Sequence, residues 1–110
     1  MPDLTKIEEI LLLAIRHLGD EAYGFAIRRY VARAFGMDLT FGNLYSALGR
    51  IDRKGYVLKR SGESAPSRRG KIRMYYTLSL SGRKALRDAY ALNQKMWISF
   101  HRRAADFDRP

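Results

Sequence analysis

The spacing of apolar and polar positions changes period twice along this chain. Residues 4–18 set Leu4, Ile7, Leu11, Ala14, Ile15 and Leu18 at three- and four-residue steps, which predicts a helix with one buried stripe. Gly19-Asp20 stops it, because glycine takes the left-handed conformation at which helices often end. A second helix over 23–35 turns Ala26, Ile27, Tyr30, Val31 and Ala34 inward and Arg28, Arg29 and Arg33 outward, and Gly36 closes it. A third opens at Thr40, a suitable N-cap, and runs to residue 54 before Gly55. Its inward set reads Phe41, Leu44, Tyr45, Leu48 and Ile51, which leaves Asn43, Ser46, Ala47, Arg50 and Arg53 outside.

The period then shortens to two. Residues 56–60 are rich in β-formers, and 72–78 alternate Ile72, Met74, Tyr76 and Leu78 with Arg73, Tyr75 and Thr77. The Ser, Gly, Pro and Arg of 61–71 make an irregular polar loop, so the two strands predict a β-hairpin. From residue 79 the helical period returns, with Ala85, Leu86, Ala89, Tyr90, Asn93, Met96, Trp97 and Phe100 in register. That helix of roughly 24 residues spans about 36 Å, and the polar tail from 104 is expected to fray. Repeats, linkers and low-complexity tracts are absent from the sequence. Three helices followed by a hairpin is the order of a winged helix-turn-helix. The expected fold class is therefore α+β, mainly α: a winged domain over 1–78, then a long C-terminal helix and tail over 79–110.

Composition narrows the class. The 110 residues suit one domain, and a hydrophobic fraction of 46% excludes wholesale disorder. With no cysteine, a disulfide scaffold, a thiolate zinc site and a Cys nucleophile are excluded, and a reducing cytosol fits. The longest apolar run, 10–15, falls far short of the roughly 18 residues of a membrane span. Glu8 and Glu9 near the start, without a small-residue cleavage site, argue against a signal peptide. The expectation is a soluble cytoplasmic protein.

Charge changes the picture most. The net +10 is not spread evenly: residues 1–38 hold five basic residues against six acids, and 88–110 hold four against three. Residues 39–87 hold twelve against two, Asp52 and Glu63, and so carry a net +10 alone. Such a block is the footprint of a polyphosphate partner; a solvated basic face is the plainer alternative. A helix fits the major groove, about 12 Å wide. On the third helix Asn43 suits adenine, Arg50 and Arg53 suit guanine, and Ser46 and Ala47 allow close approach. Thr40, Gly42 and Tyr45 complete the candidate recognition set, Gly42 leaving backbone N–H groups open to a phosphate. Lys59, Arg60, Arg68, Arg69, Lys71 and Arg73 in the hairpin, with Tyr23, form the candidate backbone-contacting set.

Catalytic chemistry is not visible. His17 and His101 are far apart, no carboxylate stands at ligand spacing, and no nucleotide-loop or hydrolase motif occurs, so neither a metal, a cofactor nor an enzymatic activity is expected.

Four segments resemble the PadR-type transcriptional regulators. Tyr23-Gly24-Phe25-Ala26-Ile27 is similar to the family's His-Gly-Tyr-x-Ile segment. Gly42-Asn43-Leu44-Tyr45-Ser46-Ala47-Leu48 resembles Gly-Thr-Leu-Tyr-Pro-x-Leu. Arg50-Ile51-Asp52-Arg53-Lys54-Gly55-Tyr56-Val57 resembles Arg-Leu-x-x-x-Gly-Leu-Ile. Tyr75-Tyr76-Thr77-Leu78-Ser79 with Gly82-Arg83 resembles Tyr-Tyr-x-Leu-Thr-x-x-Gly-Arg. Their order and spacing over about residues 4–97 carry the likeness. Tyr23, Asn43 and Ser46 depart from it, the last two where bases would be read, so an operator sequence does not transfer.

The resemblance implies a dimeric DNA-binding repressor whose last helix builds much of the dimer. The residues agree, since Trp97 and Phe100 lie beyond the reach of the domain core; packing of Trp97 back on the first helix is the alternative. Tyr90, Asn93, Met96, Trp97 and Phe100 are the candidate dimer or ligand contacts, a small aromatic effector being what some family members take. The expected function is sequence-specific recognition of a near-palindromic duplex by a homodimer. A basic winged module for RNA or a protein partner is the runner-up, with Tyr75 as the one candidate stacking platform.

Overall fold

The computed structural model of the chain describes residues 4–62 and 73–102. Helix α1 (Lys6–Leu18) starts at a capping box: Thr5 Oγ1 accepts the Glu8 N–H at 3.2 Å, and the Glu8 carboxylate accepts the Thr5 N–H at 3.0 Å. Gly19 ends it at φ 58°, and a 3-10 turn over Gly19–Glu21 leads into α2 (Gly24–Phe35). Gly36, left-handed at φ 64°, closes α2. Helix α3 (Phe41–Arg53) has the expected cap, Thr40 Oγ1 accepting the Asn43 N–H at 3.0 Å.

Strands β1 (Val57–Ser61) and β2 (Met74–Leu78) pair antiparallel from Val57 opposite Leu78 to Ser61 opposite Met74. The free edge of β2 is tied to the helical body: Tyr23 bridges Tyr75, and the Tyr76 N–H donates to the Ala22 carbonyl at 2.8 Å. A single bridge of this kind fixes the base of the wing against the start of α2. Helix α4 (Leu80–Arg102) begins at Ser79, whose Oγ accepts the Gly82 N–H and donates to the Gly55 carbonyl. Gly82 is buried so closely on the Tyr56 carbonyl that a Cβ there would collide with it. The mainly helical body, two-stranded wing and long last helix make up the winged helix-turn-helix fold.

Helix α1 is central. Leu11, Leu12 and Ile15 pack with Ile27 and Val31 of α2, Leu44, Leu48 and Ile51 of α3, and Val57 and Tyr76 of the hairpin. Helix α4 runs back along α1: residues 83–90 flank its C-terminal half, and the Asn93 amide donates to Glu9 near its start at 3.0 Å.

The observed faces differ from the expected ones in four places. Ala47 is fully buried, whereas Phe41 and Tyr45 are about half-exposed. The inward stripe of α3 is Leu44, Ala47, Leu48 and Ile51, because the small Ala47 lets α3 approach the core while two rings too bulky for that seam stack on each other outside it. Leu12 is buried, since α1 has neighbours on more than one side. Ala34 is exposed. Arg28 turns partly inward, its Nε donating to the Leu39 carbonyl at 2.6 Å and its guanidinium lying over the Phe41 ring. The expected loop over 61–71 and Ile72 lie, from residue 63 on, outside the described residues.

Candidate nucleic-acid interface

With the core stripe of α3 fixed, the opposite face of the helix follows from its geometry: Gly42, Ser46, Gly49 and Arg53 lie along one line, with Asn43 and Arg50 on one flank and Tyr45 on the other. Gly42, Asn43, Ser46 and Arg53 are exposed. Thr40 is exposed, and its hydroxyl oxygen caps this first turn by accepting the Asn43 N–H. The Arg53 guanidinium lies against Gly49, the position without a side chain at the middle of the face. Sequence reading passed over Gly49, since a glycine inside a helical pattern marks a close approach only once its neighbours are known. Ala47, expected on this face, is in the core and touches no solvent.

Tyr45 reaches back to α2. Its hydroxyl sits at Gly24, where a Cβ would overlap it, so the Gly24 position and the tyrosine are one packing unit. Its ring stacks on Phe41, with centroids 6.4 Å apart and an interplanar angle of 18°. Arg28 over Phe41 and Arg29 near Phe25 extend this strip of exposed rings backed by guanidinium groups along α2.

Arg50 stands where the outward face meets α1. Its Nε donates to Glu8 Oε2 at 2.8 Å and its Nη1 to Ser46 Oγ at 3.1 Å. Lys54 Nζ reaches the other Glu8 oxygen at 2.7 Å. Glu8 is fully buried. Burial alone pushes its carboxyl pKa up, but the hydrogen bonds from Lys54, Arg50 and the Thr5 N–H outweigh that and hold it below the ordinary glutamate value. Periodicity had no means of finding this acid, because its partners are 42 and 46 residues away.

In the wing, Lys59 pairs with Asp52 of α3 at 3.1 Å. Arg60 lies over the Tyr75 ring at 4.4 Å and donates to the Asp20 carbonyl at 3.0 Å. Arg73 lies over Tyr23 at 4.2 Å, and the rings of Tyr23 and Tyr75 meet edge to face. The structure thus gathers Tyr23, Arg60, Arg73 and Tyr75 into one alternating stack of rings and guanidinium groups at the base of the wing. Arg68, Arg69 and Lys71 fall outside the described residues.

The candidate contacts of α4 do not form one cluster. Tyr90 lines a groove of about 790 Å³ between α1 and α4, with Leu13, Leu86, Arg16, Arg83 and Arg87. Asn93 spends its amide on Glu9 of the same chain. Met96 and Trp97 lie further along and are exposed; Trp97 meets Phe100 edge to face at 5.1 Å, and its ring contacts among the described residues all lie on α4. Among the described residues, no group of His, Asp and Glu is arranged to hold a metal, and no helix is long and apolar enough to cross a membrane.

The model of the transcriptional regulator PadR-like family matches residues 11–88. The fold is similar to that of a PadR-like transcription factor from Bacteroides fragilis, with a TM-score of 0.74 and 22% identity, covering 87% of each chain. It is also similar to a PadR family transcription regulator from Clostridium difficile, with a TM-score of 0.70 and 25% identity, over 86% of this chain and 95% of that one. A third is Bacillus subtilis PadR in complex with operator DNA, with a TM-score of 0.68 and 20% identity, over 78% of this chain and 47% of that one. No curated protein sequence matches the chain.

Proposed function

This chain belongs to the PadR-like family of transcriptional regulators, and we propose that it is a cytoplasmic repressor that binds a near-palindromic DNA operator as a homodimer. The observation that carries this reading is the outward line of α3, where Gly42 and Ser46 allow a duplex close while Asn43, Arg50 and Arg53, the last lying over Gly49, supply donors. Two such helices about 34 Å apart read successive major grooves. The stacked Tyr23, Arg60, Arg73 and Tyr75 put fixed positive charge beside the groove for the phosphate backbone. Bacillus subtilis PadR, a structural neighbour, was solved with operator DNA, which supports duplex DNA as the partner. The RNA alternative loses support, because Tyr75 is covered by Arg60 and is no free stacking platform. The groove between α1 and α4 has the apolar floor and cationic rim that suit an aromatic acid as effector, with Tyr90, but not Met96 or Trp97, in its lining.

The test is selection of bound sequences from a random duplex library, followed by titration of the selected duplex. A dimer neutralising about six to ten phosphates loses roughly 10³- to 10⁵-fold in affinity between 50 and 200 mM salt. Arg50→Ala is expected to relax sequence preference, and Arg69→Ala to weaken all duplexes alike. Selection of no consensus, or binding indifferent to salt, overturns the proposal.

A further inference from the structure

The buried Glu8 belongs to no part of the interface as described, yet it holds one of the donors that the interface depends on. Its Oε2 takes the Arg50 Nε, and its Oε1 takes both Lys54 Nζ and the Thr5 N–H. The same guanidinium reaches Ser46 Oγ with Nη1. Arg50 is therefore held at two points, one inside the protein and one on the exposed line of α3. Its Nη2 makes no hydrogen bond among the described residues.

We propose that Glu8 is a positioning residue for sequence recognition, fixing the Arg50 guanidinium so that its outer edge meets a base and not a phosphate. This deepens the DNA-binding reading above and rests on it. An unrestrained arginine has several rotamers and finds the nearest phosphate, which carries no sequence information. A fixed fork offers two parallel N–H groups in one plane, the geometry that guanine O6 and N7 require. Glu8 is suited to the task because α1 is the helix around which the core is built. A carboxylate anchored there, inside a capping box and against a second cation, does not move when the arginine does.

The experiment measures affinity for the duplex selected from the random library and for a scrambled duplex of equal length. Wild type, E8Q, R50A, R50K and the double variant E8Q/R50A are compared, with thermal unfolding to confirm the fold. E8Q is expected to lower the ratio of selected to scrambled affinity about tenfold without weakening binding to the scrambled duplex. On the R50A background E8Q is expected to change the ratio less than twofold, since its effect runs through Arg50. R50K keeps a charge that can pair with Glu8 but lacks the fork, and is expected to lose the ratio as R50A does. It alters a half-exposed side chain, so it decides the matter if E8Q does not fold. Equal losses on both duplexes in E8Q, an undiminished effect on the R50A background, or full discrimination by R50K overturns the proposal. A wild type that binds both duplexes equally refutes the DNA-binding reading itself, a different result.

Discussion

Replacing Trp97 by alanine tests the homodimer most directly, because among the described residues that ring meets other rings only on its own helix. Its ring contacts, Phe100 and His101, are both on α4, and it is 56% exposed. A tryptophan buries up to about 250 Å², so roughly 140 Å² of this one remains to be covered. At about 25 cal/mol per Å² that is about 3.5 kcal/mol per copy, and twice that for a symmetric pair. Association costs and incomplete coverage reduce the net. Even half of the sum, about 3.5 kcal/mol, raises the dissociation constant by several hundredfold. Stability of the isolated fold should change by less than about 0.5 kcal/mol, because an exposed side chain away from the core is being removed. Sedimentation from 0.1 to 100 μM reads association, and circular dichroism checks the helix content. A variant that dimerises within threefold of wild type, or a wild type that is monomeric throughout, refutes the reasoning. In either case the exposed aromatics of α4 serve something other than a second copy.

Gly82→Ala places a methyl group against the Tyr56 carbonyl, a backbone atom that cannot swing aside, and should cost about 1–3 kcal/mol in denaturant unfolding. An unchanged midpoint would show that α4 can shift off the wing without cost. Acid should weaken the fold in part through Glu8. Its folded-state pKa is depressed, so its stabilisation is complete above the ordinary glutamate value of 4.5 and is lost as pH falls through the lower folded value. The difference in thermal midpoint between wild type and Glu8→Gln should therefore narrow below about pH 4.5; a constant difference from pH 7 to pH 3 contradicts it.

The first three helices were legible because an apolar stripe and a glycine stop coincide at each, and in α3 the Thr40 cap on the Asn43 N–H adds to them. The rotation of α3 was not. Positions 41, 44, 45, 48 and 51 satisfy the helical period as well as 44, 47, 48 and 51, and weighting rings as core favoured the first set. Periodicity reports that a stripe exists; the width of the seam between helices decides that Ala47 enters and Phe41 and Tyr45 stay out. The Tyr45 hydroxyl at Gly24, the Tyr56 carbonyl at Gly82 and the Glu8 cluster share one further property. Each joins residues at least twenty positions apart, where a sequence shows a glycine or a charge but not its partner.

The concentration of charge in residues 39–87 was legible as a count, and the structure divides it by use. Arg50 and Lys54 face Glu8, Lys59 faces Asp52 and Lys84 faces Asp88, so several cations are already answered inside the chain. Only a cation that meets a phosphate releases a counterion, so the salt dependence of binding should be smaller than the charge count suggests. Asp52→Asn tests the division without touching α3's outward line. Asp52 and Lys59 are both partly exposed, so the pair contributes little to stability, and its loss should leave the unfolding midpoint nearly unchanged. Released from Asp52, Lys59 of β1 can turn to the duplex. The slope of log affinity against log salt should then steepen by about 0.9 for each phosphate gained. The scrambled duplex should gain as much as the selected one, since a phosphate contact carries no sequence preference. An unchanged slope would place Lys59 on the side of the wing away from DNA, and would assign the Lys59–Asp52 pair to bracing the wing against α3.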